Sequence, residues 1–381
     1  MPKLLIVTTV AATLRAFLLP YARHFRQQGW TVDAMSNGAS GCPECVKSFD
    51  ECYDIPFSRN PLNIQNYKIP GTGERVGAKI REVVQAGGYD IVHVHTPVAA
   101  FLTRFALRKE EKRPKIVYTA HGFHFHKAKG VSVYKNVLYA GLERIARDWT
   151  DHTIVINQED YDMGIACKVA YRENISLFPG IGLDFSRYSR ENVDVSKVRE
   201  LHEELGLGKG DELFLMVGEF NLGKRHKDAI QALAGTGRAN FHLALAGTGP
   251  LELRMKQLAI ELGVGSRTHF LGVRDDVSLL MLSSRATVLP SEREGLSRSV
   301  MESICLGIPV LGSDTRGIRD IITSPIRGAL FPVGNSAALA AAMILAVDDA
   351  RQERPEPDEA WRIENLIDLH EKLYKKLLIG L

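Results

Sequence analysis

Residues 286–310 read ATVLPSEREGLSRSVMESICLGIPV. An apolar run from Ala286 to Leu289 stops at Pro290, and a polar loop carrying Glu294 follows. Helical periodicity sets in at about Ser297, and Gly307-Ile-Pro309-Val opens a second apolar run over 309–311. A strand, a helix and a second strand with no polar face form the repeating unit of a parallel sheet covered on both sides.

The same alternation extends in both directions. Toward the N-terminus, strands are expected at 3–7, 31–35, 91–95, 115–119, 152–156 and 175–177, with helices at 15–28, 74–86, 134–149 and 158–167. After Pro179-Gly-Ile-Gly182 the pattern restarts. Strands are then expected at 213–217, 241–246, 268–271, 286–289 and 309–311, with helices at 228–234, 251–262, 277–283 and 298–306. The fold class is α/β, with two facing Rossmann-like doubly wound domains and a cleft between the carboxyl ends of their strands. The N-terminal domain is expected over 1–178 and the C-terminal domain over 179–360. A last helix, about 361–381, follows the polar break Arg354-Pro-Glu-Pro357 and crosses back onto the first domain.

Composition agrees with this organisation. A length of 381 residues leaves room for two domains at about 150 residues each. The longest apolar run, 337–347, has 11 residues, short of the ~18 that suggest a membrane span, and reads as a buried or half-buried helix. Lys3 and the apolar residues behind it read as a first strand rather than a signal peptide, because a helix and a second strand follow at once. Five cysteines, an odd number in a long chain, suit a reduced, cytoplasmic protein. Residues 1–178 carry 23 Lys+Arg against 17 Asp+Glu, a net of +6, while residues 179–381 carry 25 against 28, a net of −3. The basic half suits an anionic surface or substrate, and the lack of any Lys/Arg block argues against nucleic acid.

The loop and helix after Pro290 hold the most chemistry. A first helical turn offers unpaired N–H groups and a positive dipole end, a seat for a diphosphate. Glu294 and Glu302 suit neutral hydroxyls of a sugar and a ribose, since carboxylates repel phosphate. The plainer alternative is that both cap and solubilise one helix. His93-x-His95 and His121-x-x-His124-x-His126 could be read as metal ligands, yet no carboxylate completes a ligand spacing, so no metal site is expected. His93 reads as a packed strand residue, with His124 and His126 on an acceptor side. Cys42-Pro-Glu-Cys45 with Cys52 lacks the second pair of a zinc site. Asp160-Tyr-Asp162 reads as the start of a helix capped at Asn157 rather than a metal motif. Basic residues alternate with aromatics over 123–147: Lys127, Lys129, Lys135, Arg144 and Arg147 lie among Phe125, Tyr134 and Tyr139. This is either a solvated helix face or a surface for anionic lipid headgroups.

Glu294-x7-Glu302 after Pro290-Ser, followed by Gly307-Ile-Pro-Val, resembles the donor-binding signature of glycosyltransferase family 4, whose fold is GT-B. Further matches occur in order along nearly the whole chain: the histidine strand end Val117-Tyr-Thr-Ala-His121-Gly-Phe-His, the junction Pro179-Gly-Ile-Gly-Leu-Asp-Phe, the loop Val217-Gly-Glu-Phe-Asn-Leu-Gly-Lys224, the turn Ala246-Gly-Thr-Gly-Pro and the base-contacting loop Phe270-Leu-Gly-Val273. The resemblance implies a retaining hexosyltransferase that moves glucose or GlcNAc from a UDP-sugar to a lipid-linked surface polysaccharide. It would need no metal or other cofactor, and would work in the cytoplasm or on the inner membrane face.

By the same resemblance, His121, Lys224 and Glu294 form the catalytic set, with His121 reaching the hexose from across the cleft. Glu302 would bind the ribose, Val273 the base, and the backbone around Gly295, Leu296, Ser297 and Ser299 the β-phosphate. Gly218 and Glu219 lie in the phosphate loop, where Glu219 replaces the family's arginine. Arg298 is the best substitute cation, unless it pairs with Glu294 or Glu302. Two other functions fit the fold: a UDP-sugar 2-epimerase, and a donor-binding partner subunit without catalysis.

Overall fold

The computed structural model describes residues 1–125, 133–194, 196–349 and 353–379. The chain forms two compact units: Met1–Gly182 together with the segment from Ile363 onward, and Leu183–Arg362.

The first unit holds seven strands: β1 (Lys3–Val10), β2 (Thr31–Asn37), β3 (Cys52–Asp54), β4 (Ile91–His95), β5 (Lys115–Ala120), β6 (His152–Val155) and β7 (Ile175–Leu177). They lie in the order β3-β2-β1-β4-β5-β6-β7, and every pair is parallel. The second unit holds β8 (Glu212–Val217), β9 (Phe241–Ala246), β10 (Thr268–Gly272), β11 (Ala286–Leu289), β12 (Val310–Ser313) and β13 (Gly328–Phe331). Their order is β10-β9-β8-β11-β12-β13, again all parallel. Each is a doubly wound Rossmann-like sheet. β4 and β9 are buried at every position, which is why their sequences read as continuous runs. Leu5, Val92 and Ile116 face one core layer and Leu4, Ile91 and Val117 the other. The second sheet is covered likewise.

Strand order reverses between β1 and β4 and between β8 and β11. The crevice outside the carboxyl ends at such a reversal is where open α/β sheets bind ligands. Glu219 and Lys224 follow β8, and Glu294 and Arg298 follow β11. In the first unit His95 ends β4 and His121 follows β5.

The structure revises several expectations. The unit boundaries lie after Gly182 and after Arg362, not at 178/179 and 360/361. The Pro-Gly stretch stays with the first unit because the Tyr21 hydroxyl donates to the Ile181 carbonyl at 2.9 Å. At Gly182, φ is +82° and an added Cβ would lie 2.4 Å from Ile363 Cδ1, so only glycine fits beside the last helix. Trp361 belongs to the second core, its carbonyl accepting from Leu183 N at 2.8 Å. The crossing helix therefore begins at Ile363 and packs Leu366, Ile367 and Tyr374 into the first unit. Strands β3 and β13 were not anticipated, nor was the helix Pro97–Leu107. The two strands are sheet edges of only three and four residues, and the helix sequence lacks a continuous polar face.

Candidate functional site

In the second unit two loops meet. Lys224 Nζ lies 2.7 Å from Glu294 Oε1, and Glu292 N donates to the Gly223 carbonyl at 2.8 Å. Arg225, at φ +56°, links the loops again through Glu292, 2.8 Å away, and is held in place by Asp228 of the helix that follows it. Each loop rests on glycine. A Cβ at Gly247 would fall 2.1 Å from the Gly218 carbonyl oxygen, and one at Gly249 would fall 2.7 Å from Phe220 N. On the other side, a Cβ at Gly317 would fall 2.1 Å from the Gly295 carbonyl oxygen. The Gly-Thr-Gly turn thus brings backbone directly against the β8 loop, and Gly317 does the same under the Glu294 loop.

Glu219 is exposed and accepts from Asn221 Nδ2 at 3.1 Å, while Asn221 Oδ1 accepts from Lys224 N at 3.1 Å. Glu219 therefore leans on the loop that presents Lys224. Val273 stands exposed beyond β10. Leu296 packs on the second core.

The helix Arg298–Cys305 starts from Ser297, whose side chain makes no capping bond and lies 3.2 Å from Ser299 Oγ. Glu302 is buried and accepts from Arg298 Nε at 2.8 Å. Burial pushes its carboxyl above the usual range, against the opposing pull of Arg298 and a hydrogen bond from Tyr188. Burial likewise pushes the Tyr188 hydroxyl up to about 12, with Glu302 adding to it. Both carboxylates expected to bind hydroxyls are thus paired with the two cations expected at the diphosphate. Arg298 takes the pairing with Glu302 that its spacing allowed as an alternative. Tyr188 was missed, because nothing in the local sequence ties it to a helix so far downstream.

In the first unit, His95 Nδ1 and His121 Nε2 face each other at 3.0 Å, their rings stacked with centroids 5.3 Å apart. His93 lies beneath, with Nδ1 2.5 Å from the Tyr374 hydroxyl and Nε2 2.7 Å from Thr119 Oγ1. Burial lowers the pKa of His121 to about 4 and holds His93 and His95 well below the usual imidazole value. His370, from the last helix, joins the ring cluster and is lowered to about 4 for the same reason. At neutral pH this cluster is uncharged. His124 lines a cavity of about 500 Å³ that also borders Thr9, Thr96, Phe125 and Tyr139. His126, Lys127 and Lys129 lie outside the described residues.

The remaining motifs resolve into structure. Among the described residues no group of three His, Cys, Asp or Glu side chains is placed to hold a metal. Cys42 Sγ accepts from Cys45 N at 3.4 Å, capping the short helix Pro43–Ser48. Asn157 caps the helix Gln158–Ala166 through Asp160 N, and buried Asp160 accepts from Phe123 N at 3.1 Å. The first-sheet histidines and the second-unit loops occupy the carboxyl ends of their sheets, where open α/β sheets bind ligands.

Comparison with known proteins gives the family. Residues 17–179 match the family described as Glycosyltransferase Family 4, and residues 197–362 match Glycosyl transferases group 1. EpsD of Bacillus subtilis (strain 168) is 34% identical over 344 residues, covering 89% of this chain and 85% of EpsD. The Escherichia coli UDP-Gal:alpha-D-GlcNAc-diphosphoundecaprenol alpha-1,3-galactosyltransferase is 27% identical over 266 residues, covering 68% of this chain and 67% of that protein. Anabaena Alr3699/HepE, solved in complex with UDP-glucose, superimposes with a TM-score of 0.75 at 18% identity over 100% of both chains. The chain belongs to glycosyltransferase family 4 and is a glycosyltransferase of the GT-B fold.

Proposed function

We propose that the protein transfers a hexose, of the glucose or GlcNAc type, from a UDP-sugar to a growing lipid-linked surface polysaccharide, with retention at the anomeric carbon. The carrying observation is the doubled pairing of a cation with a carboxylate, Lys224–Glu294 at 2.7 Å and Arg298–Glu302 at 2.8 Å, at the reversal point of the second sheet. A sugar nucleotide offers a diphosphate flanked by two polyhydroxyl rings, which is the complement of that set. Glu302 takes the ribose hydroxyls, Glu294 the hexose, and Lys224 with the backbone of 296–299 the leaving diphosphate.

The bond from the anomeric carbon to the β-phosphate oxygen breaks as the acceptor oxygen bonds on the same face. The acceptor's proton passes to the departing phosphate oxygen. Amides and Lys224 stabilise the charge that develops there, so the reaction needs no metal. The named substrates of the Escherichia coli relative and the UDP-glucose complex of the Anabaena structure support a UDP donor and a lipid diphosphate acceptor. The enzyme then works on the cytoplasmic face of the membrane that carries its acceptor.

The test is UDP release from a panel of UDP-, ADP- and GDP-sugars, with and without EDTA. Release from UDP-glucose or UDP-GlcNAc that survives chelation is expected. UDP binding without turnover of any donor would favour a non-catalytic subunit. ManNAc formed from UDP-GlcNAc alone would favour an epimerase.

A further inference from the structure

His226 opens the helix His226–Gly235, two residues after Lys224. It is 2% exposed, and its ring stacks on buried Phe220 with centroids 4.1 Å apart and planes 18° apart. Phe220 is fixed in turn, its N–H donating to the Thr248 carbonyl and its carbonyl accepting from Leu251 N, both at 3.0 Å. The ring therefore lies against the step from Gly218 to Phe220. The Lys224 side chain rests on the same step, since a Cβ at Gly218 would fall 3.6 Å from Lys224 Cδ. The Gly218 backbone is the polar group that faces the imidazole. Neither ring nitrogen completes a hydrogen bond with it or with any other described residue. Buried polar atoms almost always have a partner, and a leucine or a second phenylalanine would fill this space with no polar atom to desolvate.

Most charges on the elements packed around this ring are already paired. On its own helix Lys227 is exposed and Asp228 holds Arg225. The helix Glu252–Glu261 pairs Lys256 with Glu252 at 2.7 Å, the helix Ser336–Asp348 pairs Asp348 with Arg238, and β9 sets His242 against His269. The loop after β8 brings Glu219, bonded to Asn221, and Lys224, 2.7 Å from Glu294. Burial and then Lys224 lower the pKa of His226 to about 4, with the Gly218 backbone opposing them. An anion drawn to the Lys224 ammonium reverses this balance. It offsets the positive charge beside the ring and adds a negative one, which favours the protonated imidazole. Glu219 brings no positive charge to the loop, and a protonated His226 does.

We propose that His226 is a positioning residue that becomes charged when its loop is occupied: as a diphosphate binds at Lys224, the ring takes a proton from water and donates it in a hydrogen bond to the Gly218 carbonyl, fixing the loop. When the diphosphate leaves, the proton returns to water. That the anion belongs to a sugar nucleotide rests on the transferase reading, whereas the coupling of ring and anion does not.

The experiment follows the ¹⁵N shifts of the His226 ring, identified by their absence in H226Q, against pH in the full chain. It is run with the protein alone, with inorganic pyrophosphate and with UDP. Either anion should raise the midpoint of the ring by about 1–3 pH units. Between pH 8 and pH 6, UDP affinity should tighten roughly fourfold more in wild type than in H226Q, the linkage expected for a midpoint raised to about 6.5. H226F keeps a stacked, buried ring and should behave as H226Q does, whereas a role in packing alone predicts the wild-type pH dependence. A midpoint that neither anion moves, or an H226F variant with wild-type pH dependence, would overturn the proposal. UDP release from UDP-sugars is measured in parallel. If the ring responds to pyrophosphate and no UDP-sugar is turned over, the transferase reading fails and the anion-linked charge stands. Turnover with an unresponsive ring keeps that reading and removes His226 from it.

Discussion

His95 Nδ1 and His121 Nε2 share one proton across 3.0 Å, and the far side of His95 decides who owns it. His95 Nε2 is buried and meets no hydrogen-bond partner among the described residues. Orphaned buried N–H groups are rarer than under-used acceptors. The proton therefore sits on His95 Nδ1, and His121 carries its own on Nδ1, as a neutral donor. The hydrogen bond on one ring nitrogen sets the tautomer of the other.

His95→Leu should release that constraint. The ¹⁵N shifts of the His121 ring should move from a single Nδ1–H form toward a mixture. Turnover should fall roughly fivefold, the worth of about 1 kcal/mol for one neutral hydrogen bond. UDP affinity should hold, since the nucleotide loops belong to the other unit. His121→Ala should cost turnover more than His95→Leu does. A His121→Ala variant with full activity would remove this histidine from the reaction.

The buried imidazoles also predict the pH dependence of stability. His370, His121 and His152 are each lowered to about 4, chiefly by burial, against an unfolded value of about 6.5. Between those values the unfolded chain binds protons that the native one refuses. Stability is complete above pH 6.5 and declines as pH falls toward 4. Each such histidine steepens the slope by up to about 1.4 kcal/mol per pH unit. Denaturant titrations between pH 6.5 and 5, where carboxylates of ordinary pKa stay ionised, should show the loss. His370→Gln should flatten the slope by about one histidine's share. A wild-type slope near zero would mean these rings are protonated in the fold.

Much of this arrangement could be read in advance, and the exceptions have a common cause. Continuous apolar runs such as Ile91–His95 identify buried parallel strands without help from the rest of the chain. The four-residue spacing of Arg298 and Glu302 placed them on one helix face, but only the fold shows that they bond at 2.8 Å. The His95–His121 contact arises from the β4/β5 register, in which His95 sits opposite Thr119. Parallel register is a long-range property with no local signal. Tyr188 reaches Glu302, and Gly317 reaches Gly295, for reasons equally invisible in local pattern.

Nucleotide selectivity tests the Glu302 assignment. Glu302→Ala removes a charge-assisted acceptor, so UDP affinity measured by calorimetry should fall about tenfold or more, from bonds worth about 1.5–3 kcal/mol. Tyr188→Phe should have a smaller effect of the same sign, because Arg298 still holds the carboxylate. Unchanged UDP affinity in folded Glu302→Ala would reduce the helix to a structural element.

Gly317 offers a purely steric probe of the Glu294 loop. At φ +75° any side chain is strained, and here its Cβ would also collide with the Gly295 carbonyl oxygen. Gly206 has a similar φ of +66° but nothing within 4 Å. Gly206→Ala should therefore cost about 1–2 kcal/mol of stability through backbone strain alone and leave UDP binding intact. Gly317→Ala should cost more and should weaken donor binding as the loop shifts. Equal effects of the two substitutions on UDP affinity would show that the loop's position does not matter to the donor.

The last prediction concerns the two cations. A departing diphosphate gains negative charge, and Glu219, bonded to Asn221, supplies none to offset it. Lys224 is held 2.7 Å from Glu294 with part of its side chain exposed, so a phosphate can share its ammonium without burying a new charge. Arg298 holds buried Glu302 through Nε, and its guanidinium is planar and permanently charged. It braces the carboxylate assigned to the ribose, and its charge lies in the first turn of the helix beside the backbone assigned to the diphosphate. Lys224→Ala should therefore abolish UDP-sugar turnover while lowering UDP affinity only modestly. Arg298→Ala should lower both, because it also leaves Glu302 buried beside one partner fewer, and Arg298→Lys should restore little of the loss, having no planar fork. If Arg298→Ala is neutral while Lys224→Ala is inactive, a single cation suffices and Arg298 is only the neighbour that keeps Glu302 ionised.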